Sequence, residues 1–230
     1  MSLSEKVHLY NKKLSEQGLI IQSFGNVSAR HKSKMIIKPS GLNMKNLSPK
    51  DMISVELKNG LHKSIYEPSS DTPTHRVLYN EYKEIGSVIH THSTYATAWA
   101  QSGKSIPCVG TTHADYWNNA IPVTRELKKN EINSGYEKNT GNVIIETIKK
   151  LKLSILDCPG ILIYGHGPFT WGSTLDEAYK NAEIIEYIAK LAFISISINP
   201  TLKPISKELQ GKHFSRKNGP NSYYGQKNIK

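Results

Sequence analysis

The sequence predicts an α/β fold in which a mostly antiparallel β-sheet is covered by helices. Short apolar segments alternate with longer segments whose apolar residues recur at helical spacing. These segments do not follow a regular strand–helix–strand repeat, which argues against a parallel, doubly wound sheet. No linker-like stretch divides the 230 residues, so we expect one domain over 1–230.

The N-terminal part is predicted to open with a helix. Leu3, Val7, Tyr10 and Leu14 recur at helical spacing, and Gly18 can end the helix. The elements that follow are predicted from local composition. We expect a turn-like segment at 23–30, strands at 34–41 and 51–57, a loop that leads into a helix over 67–84, and a buried strand at 87–92.

The clearest predicted helix spans 173–196, where Thr174 and Glu177 can form a capping box at its start. A weaker helix is expected at 207–219, interrupted by Gly211. The elements before them are helices at 94–103 and 141–153 and strands at 121–124 and 160–167, the last strand passing into a glycine-rich turn.

The charge and the cysteines limit the possible partners. The net charge is +11, but the basic residues are spread along the chain, and no zinc-finger or RNP-type motif occurs. We therefore expect an anionic small molecule as partner, with no nucleic acid and no membrane. Cys108 and Cys158 form no CxxC and no disulfide framework, which is typical of buried thiols in a reducing compartment. The charged N-terminus lacks the apolar core of a signal peptide, so we expect a cytoplasmic protein.

His90 and His92 lie at the end of the buried strand predicted at 87–92. Residues two apart on a strand point to the same face, so the H-x-H pattern presents two imidazoles side by side. This geometry suits the first two ligands of a single metal ion. On the pair alone, hydrogen-bonded or solvated histidines remain an equal alternative.

Two further residues are candidate metal ligands. His166 lies at the mouth of an apolar strand between Gly165 and Gly167, where small neighbours permit a close approach; the alternative is a turn histidine. Asp71 precedes Thr-Pro, which is also a good helix cap, and His75 is a competing ligand on the same side of the helix. Three histidines at strand ends are the usual minimum of a catalytic zinc-type site.

Two segments have the composition of an anion site. Segment 38–41 (Lys-Pro-Ser-Gly) offers an ammonium, a hydroxyl and a flexible amide. Segment 69–70 offers two hydroxyls just before a helix start, where free N–H groups and the helix dipole favour phosphate. Each alone is also typical of ordinary turns. The candidate phosphate-binding residues are Asn26, Lys38, Ser40, Gly41, Ser69 and Ser70.

Two more groups are candidates for proton transfer. Asp115 lies in a polar segment near His113. Tyr223 and Tyr224 lie in a polar C-terminal tail, where fraying is the ordinary expectation. The tyrosine pair gains a role if the tail docks over a site, including the site of a neighbouring subunit.

Together these motifs resemble the L-ribulose-5-phosphate 4-epimerases of the class II aldolase/epimerase superfamily. The resemblance covers nearly the whole chain, and the runs SSDTPTH and GTTHADY are long and specific. The runs that carry it are GNVSA, IKPSG, PSSDTPTH, HTHS, IPCVGTTHADY, TGNVIIET, GHGPF with Thr170-Trp171-Gly172, and YYGQ.

The resemblance implies helices on both sides of the sheet and a cytoplasmic homotetramer with its sites between subunits. One divalent ion per subunit, zinc or alternatively manganese or cobalt, would be held by Asp71, His90, His92 and His166. Phosphate would be held by the six residues named above, and Asp115 and Tyr224 would be the acid/base pair. Less directly, Thr111, Glu137 and His213 match positions near the site.

The implied reaction interconverts L-ribulose 5-phosphate and D-xylulose 5-phosphate. Because the C4 hydrogen is β to the ketone and not acidic, inversion at C4 requires retro-aldol cleavage and re-addition. The alternative is a class II sugar-phosphate aldolase, fuculose- or rhamnulose-phosphate-like, that releases the aldehyde. Such aldolases commonly carry Glu where this chain has Asp71, which favours the epimerase. A basic nucleic-acid-binding protein is the non-enzymatic alternative.

Overall fold

A six-stranded sheet forms the centre of the fold in the computed structural model, which describes residues 1–218 and 222–225. The strands are β1 (Gly25–His31), β2 (Lys34–Ile37), β3 (Ile53–Glu56), β4 (Ser87–Thr91), β5 (Gly160–Leu162) and β6 (Pro168–Gly172). They lie in the order β3-β2-β1-β4-β6-β5, and every neighbouring pair is antiparallel. The predicted antiparallel α/β fold is therefore confirmed.

Eight α-helices accompany the sheet within the described residues. They are α1 (Leu3–Glu16), α2 (Thr72–Glu81), α3 (Thr94–Gln101), α4 (Thr111–Ala114), α5 (Lys129–Asn133), α6 (Tyr136–Leu151), α7 (Leu175–Ile198) and α8 (Lys207–Lys217). None of the helices in this part of the chain is both long enough and apolar enough to cross a membrane.

The two faces of the sheet carry separate apolar cores. Met35 and Ile37 of β2 pack in one cluster with residues of α2, α3, α6 and α7, whereas Ile36 packs in the other cluster with α1 and the start of α7. Side chains alternate between the faces of a strand, so a run of apolar residues in β2 serves both cores. Helices therefore cover both sides of the sheet, as expected.

The prediction of a turn at 23–30 is wrong, because most of this segment forms β1 in the middle of the sheet. Small polar residues suggested a turn, but the buried polar side chains of β1 have partners on α2 and in the segment just before it. The Ser28 hydroxyl, for example, is hydrogen-bonded to Nδ1 of His75 (2.7 Å) and to the Tyr79 hydroxyl (2.8 Å). Such pairing removes the cost of burying a hydroxyl.

The C-terminal half differs from expectation in three places. Helix α8 runs through Gly211 without interruption. The strand expected at 121–124 is reduced to isolated bridges, which pair Ile121 with Ile106 and Val123 with Leu162. After the glycine-rich turn the chain forms β6, which was not predicted, because its short run of mixed residues carries no alternating pattern.

Candidate active site

Three histidines meet at one end of the sheet. His90 and His92 follow one another across the end of β4, and His166 lies in the turn between β5 and β6. Their ligand atoms all lie within 4.8 Å of one another, and Nε2 of His90 is 3.0 Å from Nε2 of His92. The antiparallel pairing of β4 with β6 brings the turn back to the histidine pair.

The imidazoles have the protonation that metal binding requires. Burial, together with the neighbouring His166 and His92, holds the pKa of His90 well below its ordinary value. Burial likewise lowers the pKa of His92 and of His166. Neutral imidazoles retain a lone pair for a metal, and two of these nitrogens face each other without a third group between them. The donor set therefore fits a divalent ion.

Two glycines allow this close packing around His90. A Cβ atom at Gly25 would lie 2.7 Å from the His90 carbonyl oxygen, and Gly25 has a φ of +106°, which side chains rarely adopt. A Cβ atom at Gly167 would lie 2.8 Å from the Thr91 carbonyl oxygen. On the other side the His90 ring stacks on Phe169 with ring centroids 4.2 Å apart. His90 is thus closely packed, and residues larger than glycine would not fit at positions 25 and 167.

Asp71 lies beside the three histidines but outside their 4.8 Å cluster. It is the residue before α2, yet its side chain makes no capping hydrogen bond. Its carboxylate instead accepts a hydrogen bond from Nδ2 of Asn26 at 2.7 Å. The charge of Asp71 also acts on His92 and His166, raising the pKa of each against the effect of burial. Asp71 is thus available to the site rather than to the helix.

His75, the competing ligand candidate, faces the interior. It is fully buried, and its Nδ1 atom is hydrogen-bonded to Ser28. Burial lowers the pKa of His75 to about 3, so its ring is neutral. It does not belong to the histidine cluster.

The anion-site candidates lie next to Asp71. Backbone hydrogen bonds join Ser40 N to Glu67 O (3.0 Å) and Ser69 N to Lys38 O (3.0 Å), so the two predicted segments run side by side. Nδ2 of Asn26 donates to the Ser69 hydroxyl (2.9 Å) as well as to Asp71. Both amide hydrogens of Asn26 therefore donate hydrogen bonds. Asn26 links the two halves of the site, the metal-ligand candidates with Asp71 and the anion-binding segments with Ser69.

Lys38 is the only lysine among the buried polar residues described. Its Nζ donates to the carbonyl of Ser23 at 3.0 Å, and burial lowers the pKa of Lys38 to about 8, although Asp71 acts in the opposite direction. Ser40, Gly41 and Ser70 are exposed. Together these residues offer a cation, hydroxyls and amides, which are the groups that bind phosphate.

Asp115 lies in a different cluster, clamped by α8. Its carboxylate accepts hydrogen bonds from Arg216 (Nε 3.0 Å, Nη2 2.8 Å) and from Nδ1 of His213 (3.0 Å), with Nζ of Lys217 at 3.7 Å. Burial raises the pKa of Asp115, but the hydrogen bonds from Arg216 and His213 outweigh burial and hold it below its ordinary value. The carboxylate is thus ionised at neutral pH.

Tyr224 shares a cavity of about 370 Å³ with Asp115. The phenol ring of Tyr224 lies under Arg216, and its backbone N–H donates to the Arg216 carbonyl. Tyr223 and Tyr224 are both more than half exposed. Tyr223 and Tyr224 thus lie against their own chain near Asp115.

Within one chain, Asp115 and Tyr224 do not meet the histidines. Their cavity is lined by Pro159, which precedes β5, and by Glu177, which follows β6. His166 lies at the other end of the same two strands. Five residues of β6 separate the two ends, which corresponds to roughly 14 Å along the strand.

Sequence reasoning missed Tyr136. Its hydroxyl lies 3.2 Å from Nδ1 of His166, and the side chain is partly buried. A lone tyrosine that follows Gly135 carries no motif, so only the fold brings it to notice. Of the remaining expected residues, Thr111 opens α4, and Glu137 follows Tyr136, its backbone carbonyl accepting a hydrogen bond from Thr74 (2.6 Å).

The sequence is similar to a known protein family and, over nearly its full length, to named enzymes. Residues 5–193 match the family model described as the class II aldolase and adducin N-terminal domain. Proteins named L-ribulose-5-phosphate 4-epimerase UlaF from Salmonella paratyphi C (strain RKS4594) and from Salmonella typhi are each 48% identical over 227 residues, which covers 98% of this chain and 99% of theirs.

Solved structures show the same fold at lower identity. An L-fuculose 1-phosphate aldolase has a TM-score of 0.77 and 22% identity over 93% of this chain and 95% of its own. YgbL from Escherichia coli, a putative aldolase/epimerase/decarboxylase, has a TM-score of 0.71 and 23% identity over 91% of this chain and 96% of its own. The full-length match at 48% identity is more specific than these likenesses of fold. The chain belongs to the class II aldolase family and, within it, to the group of the L-ribulose-5-phosphate 4-epimerases.

Proposed function

We propose that the protein is a metal-dependent epimerase that interconverts L-ribulose 5-phosphate and D-xylulose 5-phosphate by inversion at C4. The observation that carries the proposal is the meeting of a three-histidine cluster with a buried lysine and hydroxyls at one end of the sheet. The full-length similarity to proteins named as this epimerase supports the choice of substrate. A cytoplasmic location is part of the proposal, supported by the two free, buried cysteines.

The metal ligands are proposed to be Asp71, His90, His92 and His166, and the ion to be zinc, with manganese or cobalt as alternatives. A bound divalent ion supplies Lewis acidity for the negative charge that develops on the C2 and C3 oxygens when the C3–C4 bond breaks. The neutral state of the three imidazoles supports this assignment. Asn26 holds the Asp71 carboxylate at the site through its 2.7 Å hydrogen bond.

The phosphate group is proposed to lie against Lys38 and the hydroxyl-bearing segments 40–41 and 69–70. The cleaved two-carbon aldehyde carries the phosphate, so the same grip must hold this fragment while it rotates to present its other face. The Lys38 ammonium is suited to hold this phosphate, because a charge-assisted hydrogen bond is about twice as strong as a neutral one. Ser69 is tied to the metal side through Asn26, which fixes the distance between the two halves.

Proton transfer at the C4 oxygen is assigned to Asp115 and Tyr224, one at each face of the substrate. Cleavage requires a base that removes the hydroxyl proton, and re-addition requires an acid that protonates the new alkoxide from the opposite side. The ionised carboxylate of Asp115 is suited to accept a proton. His213 and Arg216 orient this carboxylate through hydrogen bonds.

We infer that these two groups reach the histidines from another copy of the chain. Asp115 and Tyr224 lie at the opposite end of β5 and β6 from His166. We propose a homotetramer in which each site takes its metal ligands from one subunit and its acid/base pair from the next. This arrangement makes assembly a condition of activity.

The first experiment measures conversion of L-ribulose 5-phosphate to D-xylulose 5-phosphate after chelation and after zinc or manganese is added back. Conversion restored by metal, without free glycolaldehyde phosphate in a coupled dehydrogenase assay, is the expected result. Release of the aldehyde would instead indicate a sugar-phosphate aldolase. No reaction with either readout would contradict the proposal, and salt-sensitive binding to random duplex DNA would favour the non-enzymatic alternative.

Two substitutions separate metal binding from proton transfer. His92→Ala is expected to lose both the metal and activity, whereas Asp115→Asn is expected to keep the metal but lose activity by about 10²–10⁴-fold, the range of general acid–base catalysis. Metal content and turnover are measured on the same samples. Asp157→Asn, at an exposed carboxylate, is the matched control. Full activity of Asp115→Asn would show that its assigned role is wrong.

A further inference from the structure

We propose that Tyr136 is a positioning residue for His166, whose Nδ1–H it accepts so that Nε2 is presented as the metal ligand. The inference rests on the metal site of the proposed function. It concerns a residue outside the predicted ligand, phosphate and acid/base sets, and it explains how the third histidine keeps its orientation in a turn.

His90 and His166 differ in the group that is hydrogen-bonded to Nδ1. Nδ1 of His90 lies 3.0 Å from the carbonyl oxygen of Pro168. A carbonyl can only accept, so Nδ1 of His90 carries the hydrogen and Nε2 carries the lone pair. The backbone itself thus selects the tautomer of His90 that can bind a metal through Nε2.

His166 has no carbonyl partner of this kind among the described residues. The only hydrogen-bond partner of its ring there is the Tyr136 hydroxyl, 3.2 Å from Nδ1. A hydroxyl can donate or accept. If it donated, Nε2 would carry the hydrogen and could not bind a metal. Metal binding through Nε2 therefore requires that Tyr136 accept, and its own O–H then remains free to donate within the site.

The position of Tyr136 is fixed by the packing of its helix. Tyr136 begins α6 directly after Gly135, which has a φ of +127°. Gly141 lets α6 approach α2 so closely that a Cβ atom there would lie 2.7 Å from Cβ of Val77. The Thr74 hydroxyl also donates to the Glu137 carbonyl at 2.6 Å. Because α2 begins directly after Asp71 and α6 begins with Tyr136, the packing of these two helices places both residues near the histidines.

The test compares Tyr136→Phe with the wild-type protein in metal affinity, using Co²⁺ in competition with a chelator. Loss of an outer-sphere hydrogen bond to a ligand histidine typically costs 10–100-fold in metal affinity, and we expect a loss in this range. The visible absorption of the bound Co²⁺ is expected to change as the ring of His166 reorients. The denaturant midpoint of unfolding of the metal-free protein should match that of wild type, since only one hydroxyl is removed.

Tyr187→Phe is the matched control, because it removes a hydroxyl from a tyrosine of α7 that is 55% exposed. It is expected to bind Co²⁺ as the wild type does. Equal affinity and an equal spectrum for Tyr136→Phe and wild type would overturn the inference alone, and so would an equal loss in both variants. Absence of Co²⁺ binding by the wild type would overturn the proposed metal site and the inference with it.

Discussion

At the scale of single residues, Asp71 shows how a local role gives way to a distant one. An aspartate at the start of a helix normally accepts a backbone N–H, a contact worth about 1 kcal/mol. Asp71 makes no such contact, and its carboxylate is held by Asn26 from a neighbouring strand. The local stability of α2 is thus reduced in favour of the site. This trade is expected where a side chain has a binding function.

Lys38 gives a prediction about pH. Its pKa is lowered to about 8 by burial, so the free protein loses this cation as the pH rises through 8. Affinity for inorganic phosphate, measured as inhibition of the epimerase, is therefore expected to fall above about pH 8 by at most tenfold per pH unit. Lys38→Met is expected to bind phosphate weakly and without this transition, whereas Lys34→Met, at an exposed lysine, should behave as wild type.

The same shift determines the sign of a change in stability. Between pH 8 and 10.5, the ordinary pKa of lysine, the unfolded chain holds a proton at Lys38 that the folded chain has released. The free energy of unfolding is therefore expected to rise with pH across this window for wild type relative to Lys38→Met. A phosphate affinity independent of pH between 7 and 9 would contradict the assignment of Lys38.

At the scale of elements, two helical glycines lead to opposite predictions. Gly141→Ala places a Cβ atom 2.7 Å from Val77 and is expected to lower the free energy of unfolding by about 1–3 kcal/mol, as overpacking does. Gly211→Ala in α8 meets no atom of the described residues within 4 Å and is expected to raise the free energy of unfolding by about 0.5–1 kcal/mol, because alanine loses less backbone entropy in a helix. Denaturant unfolding of both variants measures the two effects.

The pair of substitutions also tests the structure at two places. Destabilisation by Gly211→Ala would mean that α8 is not a continuous helix there. A neutral Gly141→Ala would mean that α6 and α2 are farther apart than the structure has them. Metal affinity should fall only with Gly141→Ala, since α6 carries Tyr136 to the histidines.

The elements that could be predicted from sequence were those with a clear period. Helix α7 has apolar residues at helical spacing over its whole length, and Thr174 accepts the backbone N–H of Glu177. The Glu177 carboxylate accepts the backbone N–H of Ser173 and not that of Thr174, so only one half of the predicted capping box forms. Strand β1 was missed because its small polar residues suggested a turn, and strand β6 because its run of mixed residues is short. In β1, buried Asn26 and Ser28 stand where a strand pattern would show apolar residues.

The residues of the candidate site likewise include some that carry a local sequence pattern and some that do not. The H-x-H pair is a local pattern, and the antiparallel pairing of β4 with β6 added His166 as expected. Tyr136 depends on the contact of α6 with α2 and on a single hydroxyl, neither of which leaves a local pattern. The clamp of Arg216 on Asp115 likewise joins residues that are distant in the chain. Contacts of this kind follow only from the fold.

At the scale of the whole molecule, the two functional clusters lie at opposite ends of β5 and β6, which leads to a prediction about mixed assemblies. His92→Ala and Asp115→Asn are each expected to be inactive alone. When the two variants are co-expressed and assemble at random, about one quarter of the shared sites take both intact groups, so activity should approach about a quarter of wild type.

The control is the His92→Ala/Asp115→Asn double variant expressed alone. None of its assemblies has a site with both an intact His92 and an intact Asp115. Light scattering on the same samples gives the oligomeric state. Mixed assemblies without activity above that of either variant would mean that one chain supplies the whole site. In that case the tail and α8 would have to reach the histidines of their own chain.

The strand order also has a consequence for the path by which the chain folds. Strands β1 and β2 are joined by a short turn and can pair early, whereas four helices and β5 lie between β4 and β6 in the chain. Closing so long a loop costs more entropy, so this pairing belongs to the late steps. An ion that needs all three histidines therefore binds only after the last long-range strand pairing. Its binding free energy then stabilises the finished sheet against every partly paired form.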